Sequence, residues 1–237
     1  LVQLHLQNKM IGADFDKITE ELDPDVIESL SKKHSELKSL LEDSDRLELI
    51  SKDLVHHFTE KQKVLKGKAM LAASTKLAAA RYAELISKIP GAPKCTCIIS
   101  GGVISDDASE EKKSREEVVS KHYKTKQEME ELVRQFKDES NDLQLLIVCD
   151  MYLTGFDAPV INTMYVDKPL RDHNLIQAIS RVNRVHKDKP NGMIIDYIGI
   201  TDDLKSAFRS YNDSDVKGAM IPTDEIIQYM KNKHLEL

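Results

Sequence analysis

The stretch LLIVCDMYLTGFDAPVINTMYVDKPLRDHNLIQAISRVNR, residues 145–184, decides the fold class. It opens with an apolar run at 145–149, bounded by polar residues, which is typical of a strand buried on both faces. A loop containing Gly155 follows, a second apolar run spans 161–166, and a helical pattern begins after Asp172. Strands that alternate with helices in this way predict an α/β fold with a parallel sheet.

The helical part of this stretch places three polar side chains on one face. Gln177, Arg181 and Arg184 are spaced at i, i+4 and i+7, which is close to two helical turns. Two arginines one turn apart, with an amide beside them, form a fork suited to a phosphate group. The pattern is loose, so the helix alone favours a solvated face. The order of strand, loop, strand and arginine helix favours phosphate chemistry, because open α/β sheets bind ligands at the loops after their strands.

Four short segments carry a resemblance to a known family. T-G-F-D-A-P at 154–159 resembles motif V of superfamily-2 helicases, and Q-A-I-S-R-V-N-R at 177–184 resembles their motif VI. M-Y-V-D-K-P-L at 164–170 and D-Y-I-G at 196–199 are similar to the motor subunit of type I restriction–modification enzymes. The resemblance covers about residues 46–211. It implies a RecA-like parallel sheet with flanking helices, and helical segments at both ends of the chain.

The resemblance also implies roles for individual residues. Arg181 and Arg184 correspond to positions that stabilise the γ-phosphate of ATP, and Gln177 orients the same end. Gly155 and Asp157 resemble positions that approach the nucleotide. The candidates for contacts with DNA phosphates, by analogy with the family, are Thr154, Ser74 and Ser100. A phosphate contact reads no base sequence, which suits a motor that must move over any DNA.

Two motifs that an ATP-driven motor needs are absent from the sequence. There is neither a G-x-x-x-x-G-K-[ST] P-loop nor a D-E-x-H-like Mg²⁺ motif. In motors of this family ATP lies between two RecA-like lobes, so we expect ATP and Mg²⁺ to be bound mainly by a first lobe that this sequence lacks. The chain is then expected to be part of a longer polypeptide with a nuclease domain. Its expected partners are double-stranded DNA and the methyltransferase and specificity subunits.

Composition narrows the class of protein further. Of the 237 residues, 41% are apolar and 31% charged, with no run of transmembrane length and no signal peptide, so we predict a cytoplasmic protein. Three cysteines are too few for a disulfide framework and indicate buried thiols in a reducing compartment. Cys95 and Cys97 lack further ligands nearby, so we predict no metal site.

The charge of the chain favours a limited contact with DNA. The formal net charge of −6 argues against a broad DNA-binding surface. Charge is also local, however, and a motor needs only a few phosphate contacts. The local basic cluster consists of Lys168, Arg171, Arg181, Arg184, Lys187 and Lys189.

Three parts of the chain are predicted. Residues 1–66 form a helical lead-in or insertion, in which Ser44 is a candidate helix cap. Residues 67–200 form the motor lobe with motifs IV, V and VI, and residues 201–237 begin a C-terminal helical region. Motif IV corresponds to a strand at 69–73 and a helix capped by either of the two hydroxyl residues that follow. A capping box, T-x-x-E, opens a further helix at Thr125.

Two other functions compete with the restriction-enzyme motor. One is a repair or RNA helicase of the same superfamily, against which the segments at 164–170 and 196–199 argue. The other is a non-catalytic α/β interaction module. Both motif VI arginines and Asp157 argue against such a module, because a docking platform has no use for them.

Overall fold

A computed structural model describes residues 35, 37–101, 109–153, 156–170, 182 and 192–199. Within these ranges the helices are α1 (Ser44–Val64), α2 (Lys76–Ser87), α3 (Glu110–Ser120) and α4 (Lys126–Lys137). The strands are β1 (Lys68–Ala73), β2 (Lys94–Ser100), β3 (Tyr123–Lys124), β4 (Leu143–Val148), β5 (Ile161–Asp167) and β6 (Met193–Asp196). Residues 37–41 are also helical.

The strands form one sheet in the order β3-β2-β4-β1-β5-β6, and every neighbouring pair is parallel. This arrangement confirms the α/β fold class that the sequence predicted for a RecA-like lobe. After β1 the chain continues to β2 and β3, which lie toward one end of the strand order. After β5 it continues to β6, which lies at the other end. The boundary between β1 and β5 is therefore the topological switch point, where open α/β sheets place their ligands.

Helices and loops cover both faces of this sheet. Alternating residues of β1 divide between two hydrophobic clusters, with Ala69 and Leu71 in one and Met70 and Ala72 in the other. The first cluster contains the apolar sides of α1 and α2, and the second contains that of α4 with the connection from β4 to β5. All six residues of β1 are buried. Burial on both faces explains why its sequence is a continuous apolar run instead of an alternating pattern.

Helix starts follow local capping chemistry. The capping box at Thr125 is confirmed, since the hydroxyl accepts from the Glu128 amide and the Glu128 carboxylate accepts from the Thr125 amide. The predicted cap at Ser44 is wrong by one residue. Asp43 caps α1, because its Oδ1 accepts from the Arg46 amide at 2.9 Å and its own backbone is not helical.

The sequence missed one element. The charged segment before α4 shows no strand pattern in the sequence, but its last two residues form β3, which pairs with the end of β2. Two residues are too few to show an alternating pattern. The predicted boundaries at 66 and 200 stay predictions, and most of the two end segments lies outside the described residues.

Helix α1 is tied to the sheet by polar contacts along its length. The pairs, from the start of α1 to its end, are Arg46 with Asp167, His57 with Tyr165 and Lys61 with Asn162. Residue numbers rise along α1 as they fall along β5, so α1 lies antiparallel to β5. The beginning of α1 therefore lies at the carboxyl edge of the sheet, where the candidate site is.

Lys68, the first residue of β1, binds carbonyl oxygens at the C-terminal end of α4. Its ammonium donates to the carbonyl oxygens of Asp138 at 2.5 Å, Asn141 at 3.0 Å and Gln135 at 3.5 Å. It also lies 5.5 Å from the centre of the Phe136 ring. Burial lowers the pKa of this ammonium. A cation at the carbonyl end of a helix is favourable, because it complements the helix dipole and satisfies carbonyls that have no helical partner.

Replacing Lys68 by methionine is expected to lower the free energy of unfolding by about 2 kcal/mol, since three carbonyl oxygens lose a shared charged donor. Urea denaturation measures the change. Lys63→Met is the matched control, because Lys63 is exposed and pairs with Glu60 on the same helix. The control is expected to change stability by less than about 0.5 kcal/mol. Equal losses in the two variants contradict this role for Lys68.

No helix in the described part of the chain is long and apolar enough to cross a membrane.

Candidate functional site

Polar residues at or just after the ends of four parallel strands lie at the carboxyl edge of the sheet. Ser74 comes directly after β1, Lys168 directly after β5, and Asp150 two residues after β4. Ser100 is the last residue of β2. The registers align Ala73 with Asp167 and Ala72 with Val148, so the residues beyond them lie side by side. The middle of this edge lies at the switch point between β1 and β5.

The two adjacent hydroxyl residues after β1 have different surroundings. Thr75 caps α2, accepting from the Ala78 amide at 3.1 Å and donating to Glu42 Oε1 at 2.6 Å. Arg115 reaches the same Glu42 oxygen at 2.5 Å. Ser74 Oγ, in contrast, is buried and has no hydrogen-bond partner among the described residues. Such orphaned hydroxyls are uncommon and suggest an absent partner.

Lys168 lies beside Ser74 and forms an ion pair with Asp150. The ammonium is 2.9 Å from Asp150 Oδ1 and 3.4 Å from the Ser74 carbonyl oxygen, to which it donates. The lysine side chain is 16% exposed, while that of Asp150 is 76% exposed. Lys168 is the member of the predicted basic cluster that the structure describes. Its charge is already paired, so the cluster is less positive here than the sequence suggested.

Cys149 lies within this group as a thiol. Its Sγ is 3.1 Å from Asp150 Oδ2 and 3.7 Å from the Ser74 carbonyl oxygen. Burial raises the pKa of this thiol to about 12, so it stays protonated at neutral pH. A protonated thiol is a poor nucleophile and metal ligand. This agrees with the predicted role of Cys149 as a buried thiol.

A tight turn sets the position of Asp150. The Leu153 amide donates to the Asp150 carbonyl oxygen at 3.4 Å, and Tyr152 adopts a positive φ of 67°. The Tyr152 ring then packs edge-on against Phe156 at 5.3 Å, and Phe156 stacks on Phe136 of α4. A left-handed tyrosine is unfavourable by about 1–2 kcal/mol and persists where packing holds it, often at functional sites.

A buried charge network lies behind Lys168. The Asp167 carboxylate accepts from Arg46 through both of its oxygens, and Oδ2 also accepts from the Tyr82 hydroxyl at 2.6 Å. Asp167 is fully buried. Burial raises the pKa of the Asp167 carboxyl, and the Arg46 guanidinium and the Tyr82 hydroxyl oppose that rise. The network fixes the last residue of β5, which immediately precedes Lys168.

A lysine also reaches the end of β2. Lys76, an exposed residue in the first turn of α2, donates to the Ser100 carbonyl oxygen at 2.9 Å. This contact links the ends of β1 and β2, which flank β4 in the sheet. Ser74, Ser100 and the two lysines thus border one stretch of the carboxyl edge.

The structure places some of the predicted site residues but not all. Ser74 and Ser100 are brought to the same edge of the sheet, and Asp157 is exposed in the connection between β4 and β5. The remaining predicted site residues lie outside the described residues: Thr154, Gly155, Gln177, Arg181 and Arg184. Among the described residues no three His, Cys, Asp or Glu side chains are grouped to hold a metal ion.

Sequence reasoning missed Asp150, Lys76 and the network around Asp167. A signal was available for Asp150, because it is a charged residue just after an apolar run, as Lys168 is. Charged residues that follow strands of one parallel sheet lie at the same edge of that sheet. No comparable signal existed for Arg46 and Asp167, which are separated by 121 residues.

Comparison with known proteins gives a consistent set of relatives. A family model described as type I restriction enzyme subunit R domain 3 matches residues 65–199. The protein named MjaIXP endonuclease subunit, from Methanocaldococcus jannaschii, is 40% identical over 99% of this chain and 22% of its own length. The type I restriction enzyme HindI endonuclease subunit of Haemophilus influenzae is 35% identical over 99% of this chain and 22% of its own.

A solved structure of Mss116p DEAD-box helicase domain 2 with an RNA duplex has a TM-score of 0.45 and 14% identity, covering 71% of this chain and 56% of that one. The chain spans about a fifth of the length of the two restriction-enzyme relatives. Nearly all of it aligns with them, and the family match runs from just before β1 to just after β6. The chain therefore belongs to the family of type I restriction enzyme R subunits.

Proposed function

We propose that this chain is the second RecA-like lobe of an ATP-dependent translocase for double-stranded DNA, within the endonuclease subunit of a type I restriction enzyme. The observation that carries the proposal is the meeting of Ser74, Ser100 and two lysines at the carboxyl edge of the parallel sheet. Hydroxyl and ammonium groups are common phosphate contacts in protein–DNA complexes. Membership of the R-subunit family supports the assignment to a restriction enzyme.

In this proposal one group of residues serves the nucleotide. Arg181 and Arg184 reach the γ-phosphate, where charge develops during phosphoryl transfer, and Gln177 orients the same end. Gly155 and Asp157 approach the nucleotide from the connection between β4 and β5. The exposure of Asp157 supports this role, because a side chain that meets a ligand bound between lobes must be accessible before the lobes close.

A second group serves the DNA. Ser74, Ser100 and Thr154 contact backbone phosphates, which carry no base sequence. The orphaned hydroxyl of Ser74 supports its inclusion, since a phosphate oxygen supplies the acceptor that the described protein residues do not. Recognition of a particular DNA site then falls to the specificity subunit, and methylation to the methyltransferase subunit.

ATP and Mg²⁺ are held mainly by a first RecA-like lobe of the same polypeptide, which also carries the nuclease domain. When bound, the metal neutralises charge on the transferring phosphates. The chain itself contributes the arginines and the DNA contacts. We also propose that the enzyme is located in the cytoplasm.

Purified alone, the 237-residue chain is expected to show no DNA-stimulated ATP hydrolysis, because its sequence contains no P-loop. The full-length endonuclease subunit, assembled with its partner subunits, is expected to hydrolyse ATP only with DNA and to displace a triplex strand ahead of it. Phosphate release and triplex displacement are the measurements. Hydrolysis by the isolated chain, or a full-length complex that cuts DNA without consuming ATP, contradicts the proposal.

A further inference from the structure

We propose that Lys168 binds a phosphate group next to Ser74, and that its ion pair with Asp150 blocks this site while no anion is bound. The exposed Asp150 carboxylate occupies the place of the phosphate until an anion displaces it. This inference rests on the proposed function and deepens it, because it names a further contact and a means of control at the same edge of the sheet. Lys168 and Asp150 are called the reserve pair below.

The first step is the state of the Ser74 hydroxyl. Its Oγ is buried without a hydrogen-bond partner among the described residues, although the neighbouring Thr75 hydroxyl makes two hydrogen bonds. The cap of α2 is therefore already supplied by Thr75, and Ser74 is not needed for it. A buried donor without an acceptor is unfavourable, so a ligand that supplies an oxygen gains the full benefit of that bond.

The second step is the asymmetry of the reserve pair. Lys168 is largely covered and is also held by the Ser74 carbonyl oxygen at 3.4 Å. Asp150 is mostly exposed, and its contact with the ammonium is 2.9 Å. An anion that approaches from solvent can therefore replace the carboxylate by rotation of the Asp150 side chain, which also gives up the 3.1 Å contact with the Cys149 thiol. The ammonium stays in place throughout and keeps a charged partner.

The third step is the neighbourhood of the ammonium. Because the Lys168 ammonium donates to the Ser74 carbonyl oxygen at 3.4 Å, an anion bound to Lys168 lies next to residue Ser74. Lys76, in the first turn of the next helix, adds a second positive charge at the same edge. One phosphate oxygen on Lys168 and another on Ser74 together satisfy both groups, in the manner of charge-assisted phosphate contacts.

The fourth step is the fixed position of Asp150. The turn from Asp150 to Leu153, with Tyr152 at positive φ and packed on Phe156, keeps the carboxylate near Lys168 when no anion is bound. Competition from a tethered carboxylate limits the affinity for phosphate. Limited affinity suits a lobe that must release each phosphate as it moves along the DNA.

The test measures binding of a fluorescein-labelled DNA duplex to the 237-residue chain by anisotropy, at several salt concentrations. Lys168→Met is expected to weaken binding about tenfold and to reduce the slope of log affinity against log salt by about one. Asp150→Asn is expected to strengthen binding about threefold, because the ammonium no longer has a charged competitor. Ser74→Ala is expected to raise the melting temperature while weakening binding.

The Lys94–Asp142 pair at the opposite edge of the sheet supplies matched controls. Its N–O distance is 3.0 Å, and it lies at the start of β2 and just before β4. Lys94→Met and Asp142→Asn make the same changes in net charge as the test variants. Each control is expected to alter affinity by less than about twofold, because it lies far from the switch point.

Two further experiments show whether the bound phosphate belongs to the DNA backbone or to a nucleotide. ATP and inorganic phosphate are titrated against the same variants by thermal shift, with the duplex omitted. Variant effects seen with the duplex assign the site to the DNA backbone, and effects seen with ATP alone assign it to the nucleotide; either outcome supports the reserve pair.

Three results overturn the inference. In the first, Lys168→Met and Lys94→Met weaken binding equally, which makes the pair an ordinary surface ion pair while the proposed function stands. In the second, Asp150→Asn and Asp142→Asn strengthen binding equally, which leaves only a general charge effect. In the third, the wild-type chain binds none of the three probes, which counts against both the reserve pair and phosphate binding at this edge.

Discussion

Replacing Arg46 by methionine is expected to lower the free energy of unfolding by about 3–5 kcal/mol, the cost of leaving a buried charge without its partner. Asp167 is fully buried and its ion-pair partner Arg46 is 6% exposed in its side chain. With the guanidinium removed, the carboxylate keeps the Tyr82 hydroxyl as its remaining donor among the residues that the structure describes. Methionine fills much of the same volume, so the loss reports the charge more than a cavity. Urea denaturation followed by circular dichroism measures it.

Two further variants separate the buried charge from a general effect of losing an arginine. Arg134→Met removes an exposed arginine that is paired with Glu131 on the surface of α4, and is expected to cost less than about 0.5 kcal/mol. Arg46→Met combined with Asp167→Asn leaves no uncompensated charge and is expected to recover most of the stability lost. A double variant as unstable as Arg46→Met shows that shape, and not charge, holds this position.

The loss in Arg46→Met is also expected to depend on pH. Burial raises the pKa of the Asp167 carboxyl in the folded protein, and Arg46 opposes that rise, so the pKa lies higher still in the variant. A carboxyl with a raised folded-state pKa stabilises the folded state fully below the unfolded pKa, and that contribution is lost as the pH rises through the folded pKa. The variant is therefore closest to wild type in acid, and the deficit grows toward neutral pH.

Replacing either Arg181 or Arg184 by lysine in the full-length subunit is expected to reduce DNA-dependent ATP turnover by about a hundredfold or more. Lysine keeps the charge but loses the planar fork that holds two phosphate oxygens. A hundredfold corresponds to about 2.7 kcal/mol of transition-state stabilisation. ATP binding should weaken less than turnover, because the contact strengthens as charge develops. DNA translocation and the cleavage that depends on it should fall in proportion.

Steady-state ATPase with DNA, beside a thermal melt of each variant, tests this prediction. Arg134→Lys on the exposed face of α4 is the matched control and is expected to keep full turnover. Normal hydrolysis by both motif VI variants contradicts the arginine-finger role and leaves the arginines on a solvated helix face. If the ATP turnover and the melting temperature of the variants both fall sharply, Arg181 and Arg184 are structural residues instead.

Much of the fold could be predicted from the sequence because its signals are local. The apolar run at 145–149 predicted a buried strand, and β4 is Leu143–Val148; the run at 161–166 predicted a strand, and β5 is Ile161–Asp167. The cap of α4 depends on residues only three positions apart. Of the candidate site, the sequence named Ser74 and Ser100 as phosphate contacts, and the structure brings them to one edge of the sheet, at the ends of β1 and β2. The roles of these residues stay predictions.

Only the tertiary structure decided which residues meet across long stretches of chain. The apolar pattern of β1 shows that it is buried, but not that β4 and β5 flank it. The sequence offered two candidate caps for α2, and the contact between Thr75 and Glu42 leaves Ser74 as the orphaned hydroxyl. The Arg46–Asp167 and Lys168–Asp150 pairs likewise depend on how distant segments pack. The spacing of apolar residues shows whether a segment is buried and on which face. It does not show which distant segment packs against that face, because that depends on the fit between whole faces of helices and strands.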